Sequence, residues 1–204
     1  MDQSTIVAKL QAIYEQFCGD KMSFEDIQSI LDISKIHIYS KGETIQGIHQ
    51  PLLYTGLILK GIARSYYLDM EGNDITKFFS VEGHIIMDEG LFGYEQSIAS
   101  LEALEDTIIL LMEINKLKQL IQINDTIKNL YIICLEYALR YKIYRESEFL
   151  TKNATERYLQ FCQDYPELNN RVKQSYISTY LGIAPESLSR IRKALKDRNY
   201  SGPS

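Results

Sequence analysis

The stretch from Gln174 to Leu195 constrains this chain more than any other. Ile177 and Leu181 lie four residues apart and put apolar groups on one face of a first helix, and Gly182 permits a tight turn after it. Ala184 caps the bend, and Pro185 opens a second helix at the one position where a missing N–H costs nothing. Leu188, Ile191 and Leu195 then hold the second helix against the first, which is the pattern of a helix-turn-helix. Its outer face is left with Glu186, Ser187, Ser189, Arg190 and Lys193. A guanidinium matches guanine O6 and N7, a carboxylate accepts from cytosine N4, and serine hydroxyls serve either base or backbone. Gln174, Ser175 and Arg192 complete the candidate DNA contacts.

The formal net charge of −5 looks wrong for such a role until it is divided along the chain. From Arg171 onward seven basic residues (Arg171, Lys173, Arg190, Arg192, Lys193, Lys196, Arg198) face only Glu186 and Asp197, so this end carries +5 and everything before it −10. Attraction to phosphate follows local charge, so an acidic body with a basic end suits a protein that meets DNA at one end only.

The rest of the chain reads as a globular body. Its 204 residues are 45% hydrophobic, enough for a real core, and no apolar run is long enough for a membrane span or a signal peptide, so a cytoplasmic location is expected. Cys18, Cys134 and Cys162 are odd in number and far apart, which suggests reduced thiols without disulfide or metal. No phosphate loop, nucleophile elbow or metal-binding histidine pair is present, and neither an enzyme nor a cofactor is expected.

Helices are expected near Ser4 to Phe17 and from Ser23. Between Ile36 and Ile114, β-branched and aromatic residues alternate with glycines, a pattern for short antiparallel strands in a β-roll. Ser40-Lys41-Gly42-Glu43 reads as a turn, Gly61 breaks two strands, and Gly72 and Asn73 form a hairpin tip that tolerates positive φ. No glycine or proline interrupts Leu117 to Leu150, which predicts one long helix. Ile127, Leu130, Cys134, Tyr137, Tyr141 and Tyr144 step by 3, 4, 3, 4 and 3 along it, the seam of a two-helix interface. A second apolar line through Ile132, Leu135 and Leu139 leaves one line for the roll and one for a second copy, so a homodimer is expected. The expected domains are 1–116 (sensor-like roll), 117–150 (dimerisation helix) and 151–204 (helix-turn-helix).

The order of a roll bearing Lys41-Gly42-Glu43, Leu59-Lys60-Gly61, Met70-Glu71-Gly72-Asn73 and Leu104-Glu105-Asp106, then a long helix, then Leu181-Gly182-Ile183 and Glu186-Ser187-Leu188-Ser189-Arg190 resembles the cyclic-AMP receptor protein and fumarate-nitrate regulator (Crp/Fnr) family of bacterial transcription regulators. The resemblance covers nearly the whole chain. It implies an α+β fold with an antiparallel β-roll like a cyclic-nucleotide-binding domain, a dimerisation helix and a C-terminal helix-turn-helix. It also implies base contacts from Glu186 and Arg190, a palindromic double-stranded operator, and RNA polymerase as a partner. Pro185 stands where many relatives have a polar or basic residue, and the nine residues after Leu195 are too short for the usual β-hairpin wing, so the wing is expected to be short or absent.

The family's best-known input does not fit. No Lys or Arg occurs from Phe78 through Asn115, where the family holds a cyclic-nucleotide phosphate, while Asp88, Glu89, Glu95 and Glu102 all do. A phosphodiester there meets repulsion in place of charge-assisted pairing. An iron–sulfur sensor needs four cysteines, and among His37, His49 and His84 nothing singles out a haem ligand. An unidentified small-molecule effector in the roll, touching Arg64, Tyr66, Glu89 or Tyr94, stays open. So does a second reading, a sensor module that regulates a protein partner without reading DNA.

Overall fold

The computed structural model describes residues 2–200, with side chains through Asp197. Arg198 and the tail on which the expectation of a short wing rests lie outside the described side chains and residues. Cα packing divides the chain into two compact units, the first from the chain up to Tyr66 with Phe79–Arg140, the second from Tyr67–Phe78 with the chain from Tyr141 on.

The first unit begins with α1 (Gln3–Cys18) and α2 (Phe24–Asp32). The Ser23 hydroxyl accepts from the Asp26 amide and so starts α2 where the sequence places it. Two four-stranded sheets follow, one in the order β1 (Ser34–Tyr39), β8 (Thr107–Glu113), β3 (Tyr54–Lys60), β6 (Ile85–Ile86). The other runs β2 (Thr44–Gln46), β7 (Ser100–Ala103), β4 (Ala63–Leu68), β5 (Asp74–Ser80). All recorded pairings are antiparallel, as a β-roll requires.

Strand alternation makes two cores. Leu57, Leu59, Leu110 and Met112 point to α1 and α2 and pack with Ile6, Leu10, Ile27 and Ile30. Ile58, Ile109 and Leu111 point the other way and meet Ala63, Leu101 and Ala103 of the second sheet inside the roll. Strands β3 and β8 are therefore apolar on both faces, which is why Leu57-Ile58-Leu59 and Ile108 to Met112 read as unbroken runs in place of alternation. Burial of each large side chain contributes roughly 1.5 to 3 kcal/mol. Gly61, between β3 and β4, sits at φ 102 with the Thr107 Cα 2.8 Å from where a Cβ would stand, so only glycine fits the break. At the hairpin tip Gly72 takes φ 83 but Asn73 stays at negative φ. The Asp69 carboxylate instead accepts from the Glu71 and Asn73 amides and closes the turn.

His84, in the loop before β6, is held below the ordinary histidine value by burial. The folded state favours the neutral ring, so its contribution to stability is full above about pH 6.5 and is lost as the pH falls below that. Urea midpoints measured at pH 7.5 and 5.5 should fall less on acidification in His84→Gln than in the wild type; an identical fall would exclude this residue as a cause.

One expectation is corrected here. The long helix is two, α3 (Ile114–Ile123) and α4 (Asp125–Thr151). Asn124 breaks it with extended backbone: its Oδ1 accepts from the Ile127 amide at 3.0 Å and its Nδ2 donates to Asp26 at 2.6 Å. The side chain caps the new helix and competes with continuation of the old one, a break that needs neither glycine nor proline.

The seam is also redistributed. Ile127 is buried and Leu130 partly buried in the core shared with α1 and α2. Cys134 is half-buried, and burial pushes its thiol up to about 11. Tyr137 stacks edge-on against Phe17 at 5.6 Å but stays 51% exposed, and Tyr141 is taken up in the second unit, so most of this line is engaged within its own chain. The other line is the more open: Ile132, Leu139 and Ile143 are 44%, 61% and 58% exposed.

The second unit comprises the hairpin tip, the end of α4, α5 (Ala154–Asp164), α6 (Leu168–Arg171), α7 (Gln174–Leu181) and α8 (Pro185–Tyr200). Asn153 and Glu156 form a capping box at the start of α5, and the helix stops before Pro166. The boundary between the units crosses α4 between Arg140 and Tyr141.

Candidate nucleic-acid interface

Helices α7 and α8 form the expected helix-turn-helix. Gly182 adopts φ 65, its amide bonding back to Ser178 and Thr179 carbonyls to close α7. Phe149 of α4 lies against it, 2.8 Å from where a Cβ would be, so glycine answers both to the turn and to packing. Ile177, Leu181 and Leu188 are fully buried, as the spacing predicts, and Tyr180 with them.

Packing on that side leaves one face of α8 in solvent. Glu186, Ser189, Arg190 and Lys193 are exposed, and the Arg190 guanidinium donates to the Ser187 hydroxyl at 3.3 Å. Positions 186, 190 and 193 follow one another at helical spacing, so a carboxylate and two cations share a stripe. At the start of α7, Lys173 supplies no side-chain cap and Ser175 is exposed, and an uncapped helix start favours an anion. Two of the expected contacts are less available. Gln174 is half-buried with its amide donating to the Asn169 carbonyl at 3.2 Å, and Arg192 is half-buried beside Tyr158.

Residues that the sequence reading passed over fix the frame. Arg145 of α4 donates to the Tyr180 carbonyl at 2.7 Å and lies 3.8 Å over the Tyr180 ring. It also pairs with buried Glu148 at 3.4 Å, which Lys152 approaches at 3.1 Å. Arg157 donates to the carbonyls of Leu181 at 3.2 Å and Lys152 at 2.8 Å. Two arginines thus cap the C-termini of α7 and α4, where free carbonyls and the helix dipole favour cations. Tyr141 and Tyr180 share a hydrogen bond at 3.2 Å, and burial raises both phenols, so they stay neutral. Only the pairings of Glu148 with Arg145 at i−3 and with Lys152 at i+4 were visible as sequence signals, and such spacing is common on solvated helices. Arg145→Ala should cost about 1.5 to 3 kcal/mol, since a charged hydrogen bond to a buried carbonyl is lost while Glu148 keeps Lys152. An unchanged urea midpoint would show the cap to be dispensable.

The four residues expected to line an effector pocket are not gathered in the roll. Ala63 opposes Ala103 and Ser65 opposes Leu101, and Ala63, Ala103 and Leu101 belong to the interior core, so Arg64 and Tyr66 fall on the opposite face of the sheet. Arg64, 1% exposed, pairs with Glu102 directly across the ladder at 2.8 Å and lies 4.4 Å over the Tyr66 ring. Glu89 is half-buried in a short 3-10 turn (Asp88–Phe92), and Tyr94 is exposed beyond it. Among the described residues no cluster of three His, Cys, Asp or Glu side chains is placed to hold a metal, and no helix is long and apolar enough to cross a membrane.

A roll of two antiparallel sheets, a long helix and a C-terminal helix-turn-helix define the architecture of a Crp/Fnr-type regulator. Comparison with solved structures bears this out across most of the chain. FixK2 from Bradyrhizobium japonicum is 22% identical with a TM-score of 0.74, covering 82% of this chain and 86% of that one. The regulator CLP from Xanthomonas campestris, described as c-di-GMP-responsive, is 16% identical with a TM-score of 0.70, covering 87% and 93%. DNR from Pseudomonas aeruginosa is 21% identical with a TM-score of 0.57, covering 97% and 90%. No family model and no curated protein sequence matches the chain. The chain therefore has the Crp/Fnr regulator fold at low sequence identity.

Proposed function

We propose that this protein is a homodimeric, sequence-specific DNA-binding transcription regulator. The observation that carries the reading is the exposed Glu186, Arg190 and Lys193 stripe on a helix whose other side is locked by buried Leu188 and the α7 turn. Such a helix offers base-reading groups without having to reorder first, and the +5 end supplies phosphate attraction. Dimerisation uses α4 through exposed Ile132, Leu139 and Ile143 with half-buried Leu135 between them, since Ile127 and Leu130 at the start of the other line are taken up in the chain's own core. The two recognition helices of the dimer then meet half-sites about one turn, roughly 34 Å, apart. RNA polymerase is the natural partner of a regulator so placed.

The effector is not cyclic AMP or another phosphodiester of the kind to which CLP is described as responding. The segment from Phe78 to Asn115 supplies no cation, and Arg64 is already neutralised by Glu102. Selection of bound duplexes from a random pool tests the whole reading. A palindrome supports it, together with a steep salt dependence and a marked preference over random DNA. Absence of binding even at low salt would replace it with the alternative, a module that regulates a protein partner.

A further inference from the structure

Two helices of the first unit bring thiols to one seam. Along α1 the buried side chains Ile6, Leu10 and Tyr14 recur every four residues, and the next step of that line is Cys18, which packs against the same core. Along α4 the line that enters this core is Ile127, which is buried, then Leu130, which packs against it, then half-buried Cys134. One turn beyond Cys134, Tyr137 meets Phe17, the neighbour of Cys18, with ring centroids 5.6 Å apart. This aromatic contact pins α1 to α4 beside both thiols. All of these residues belong to the first unit, whereas Cys162 lies in the second.

The two thiols have different settings. Cys18 is the last residue of α1, hydrogen-bonded to Tyr14 one turn before it. Gly19 then turns the chain at φ 73 with nothing within 4 Å of where a Cβ would stand, so the helix end is open to a small reagent. Cys134 lies in mid-helix. Burial first, then the charges of Cys18 and Asp88, push its thiol up to about 11, so it is protonated at neutral pH and reacts poorly by itself. A charge at Cys18 is felt there because the two sulfurs share the seam that the aromatic contact closes. Both residues are free thiols in the structure, which is the reduced state.

We propose that Cys18 and Cys134 form a dithiol site for small-molecule disulfides of the glutathione class, closing to an intramolecular disulfide that fastens α1 to α4. The Cys18 sulfur, as thiolate, attacks one sulfur of the reagent; the reagent's S–S bond breaks, and the departing thiolate takes up the proton that Cys18 released. Cys134 then attacks the Cys18 sulfur of the mixed disulfide. The second reagent thiolate leaves with the Cys134 proton, and the bond between residues 18 and 134 remains. Two cysteine thiols are thereby oxidised by two electrons, and one reagent disulfide is reduced to two thiols. Closure restrains mainly the opened states of α1, because the bond spans a long stretch of chain. It bears on the helix that also carries Ile132, Leu139 and Ile143, but the chemistry does not rest on the DNA-binding reading above.

Equilibration of the full chain with reduced and oxidised glutathione at graded ratios, followed by acid quench and alkylation, tests the site. As the oxidised fraction rises, the tryptic peptides 10–21 and 129–140 should appear joined while Cys162 stays open to alkylation, and reduction should release them. In Cys134→Ser the reagent should stay on Cys18 as a stable mixed disulfide. Hydrogen exchange over residues 3–18 should slow about tenfold in the oxidised wild type and stay unchanged in Cys18→Ser and Cys134→Ser. Cys134→Ala gives the same comparison if serine does not fold at this half-buried position. A wild-type chain that keeps glutathione without the cross-link, that links to Cys162 or to a second chain, or that does not react at all would overturn the proposal. So would a cross-link that leaves exchange in α1 as it was.

Discussion

Arg190→Ala should weaken binding to the selected palindrome by about 1 to 3 kcal/mol, roughly 5- to 150-fold, and relax the preference at one base pair of each half-site. The side chain is exposed on α8 and already held by the Ser187 hydroxyl, so the wild type loses little rotamer freedom on forming a bidentate bond to guanine. Removal of a base contact penalises the preferred sequence alone. Removal of a phosphate contact penalises every sequence and flattens the salt slope by about one unit. Competition binding with the palindrome and with random duplexes separates the two, and a uniform loss would reassign Arg190 to the backbone. Lys193→Ala, further along the same stripe, serves as the comparison.

Ile132→Asp combined with Leu139→Asp should convert the dimer to a monomer and lower operator affinity on the order of 100-fold or more, because the second half-site contact is no longer intramolecular. Both positions are exposed in the isolated chain, so the charges cost little until a second copy covers them, when each buried carboxylate becomes prohibitive. Light scattering at micromolar concentration reads the result, and a variant that stays dimeric would move the interface off α4. Aspartate at Tyr141 does not give the same information. That ring sits beside Phe78 and bonds Tyr180, so the substitution would damage the second unit itself. Tyr137, 51% exposed but stacked on Phe17, is a weaker probe than Leu139 for the same reason.

The helix-turn-helix was readable because every position in it has a local reason: Gly182 for positive φ, Pro185 for an unneeded N–H, Leu188 for the buried face. Strand breaks at Gly61 and the turn at Gly42 were readable on the same grounds. What escaped depends on partners distant in sequence. Asn124 caps α4 through the Ile127 amide, a local signal, but its hold on Asp26, 98 residues earlier, is announced by no local pattern. Two apolar lines on α4 were visible, but which one faces the chain's own core is decided by α1 and α2. Arg64 was one of four residues offered to an effector in the roll. Its strand parity, set by the register with β7, sends it to the other face and to Glu102.

The hairpin's membership in the second unit bears on how the protein is made. Tyr67–Phe78 leaves the ribosome about a hundred residues before α7, the helix it will grip through Thr179, has been synthesised. During that interval the tip must wait with Tyr67, Leu68, Met70 and Ile75 in water, where they remain exposed even in the finished fold. Helices α7 and α8 can thus be neither excised cleanly at residue 151 nor completed early. Their last contacts form only when the end of the chain returns to a segment laid down in its first half.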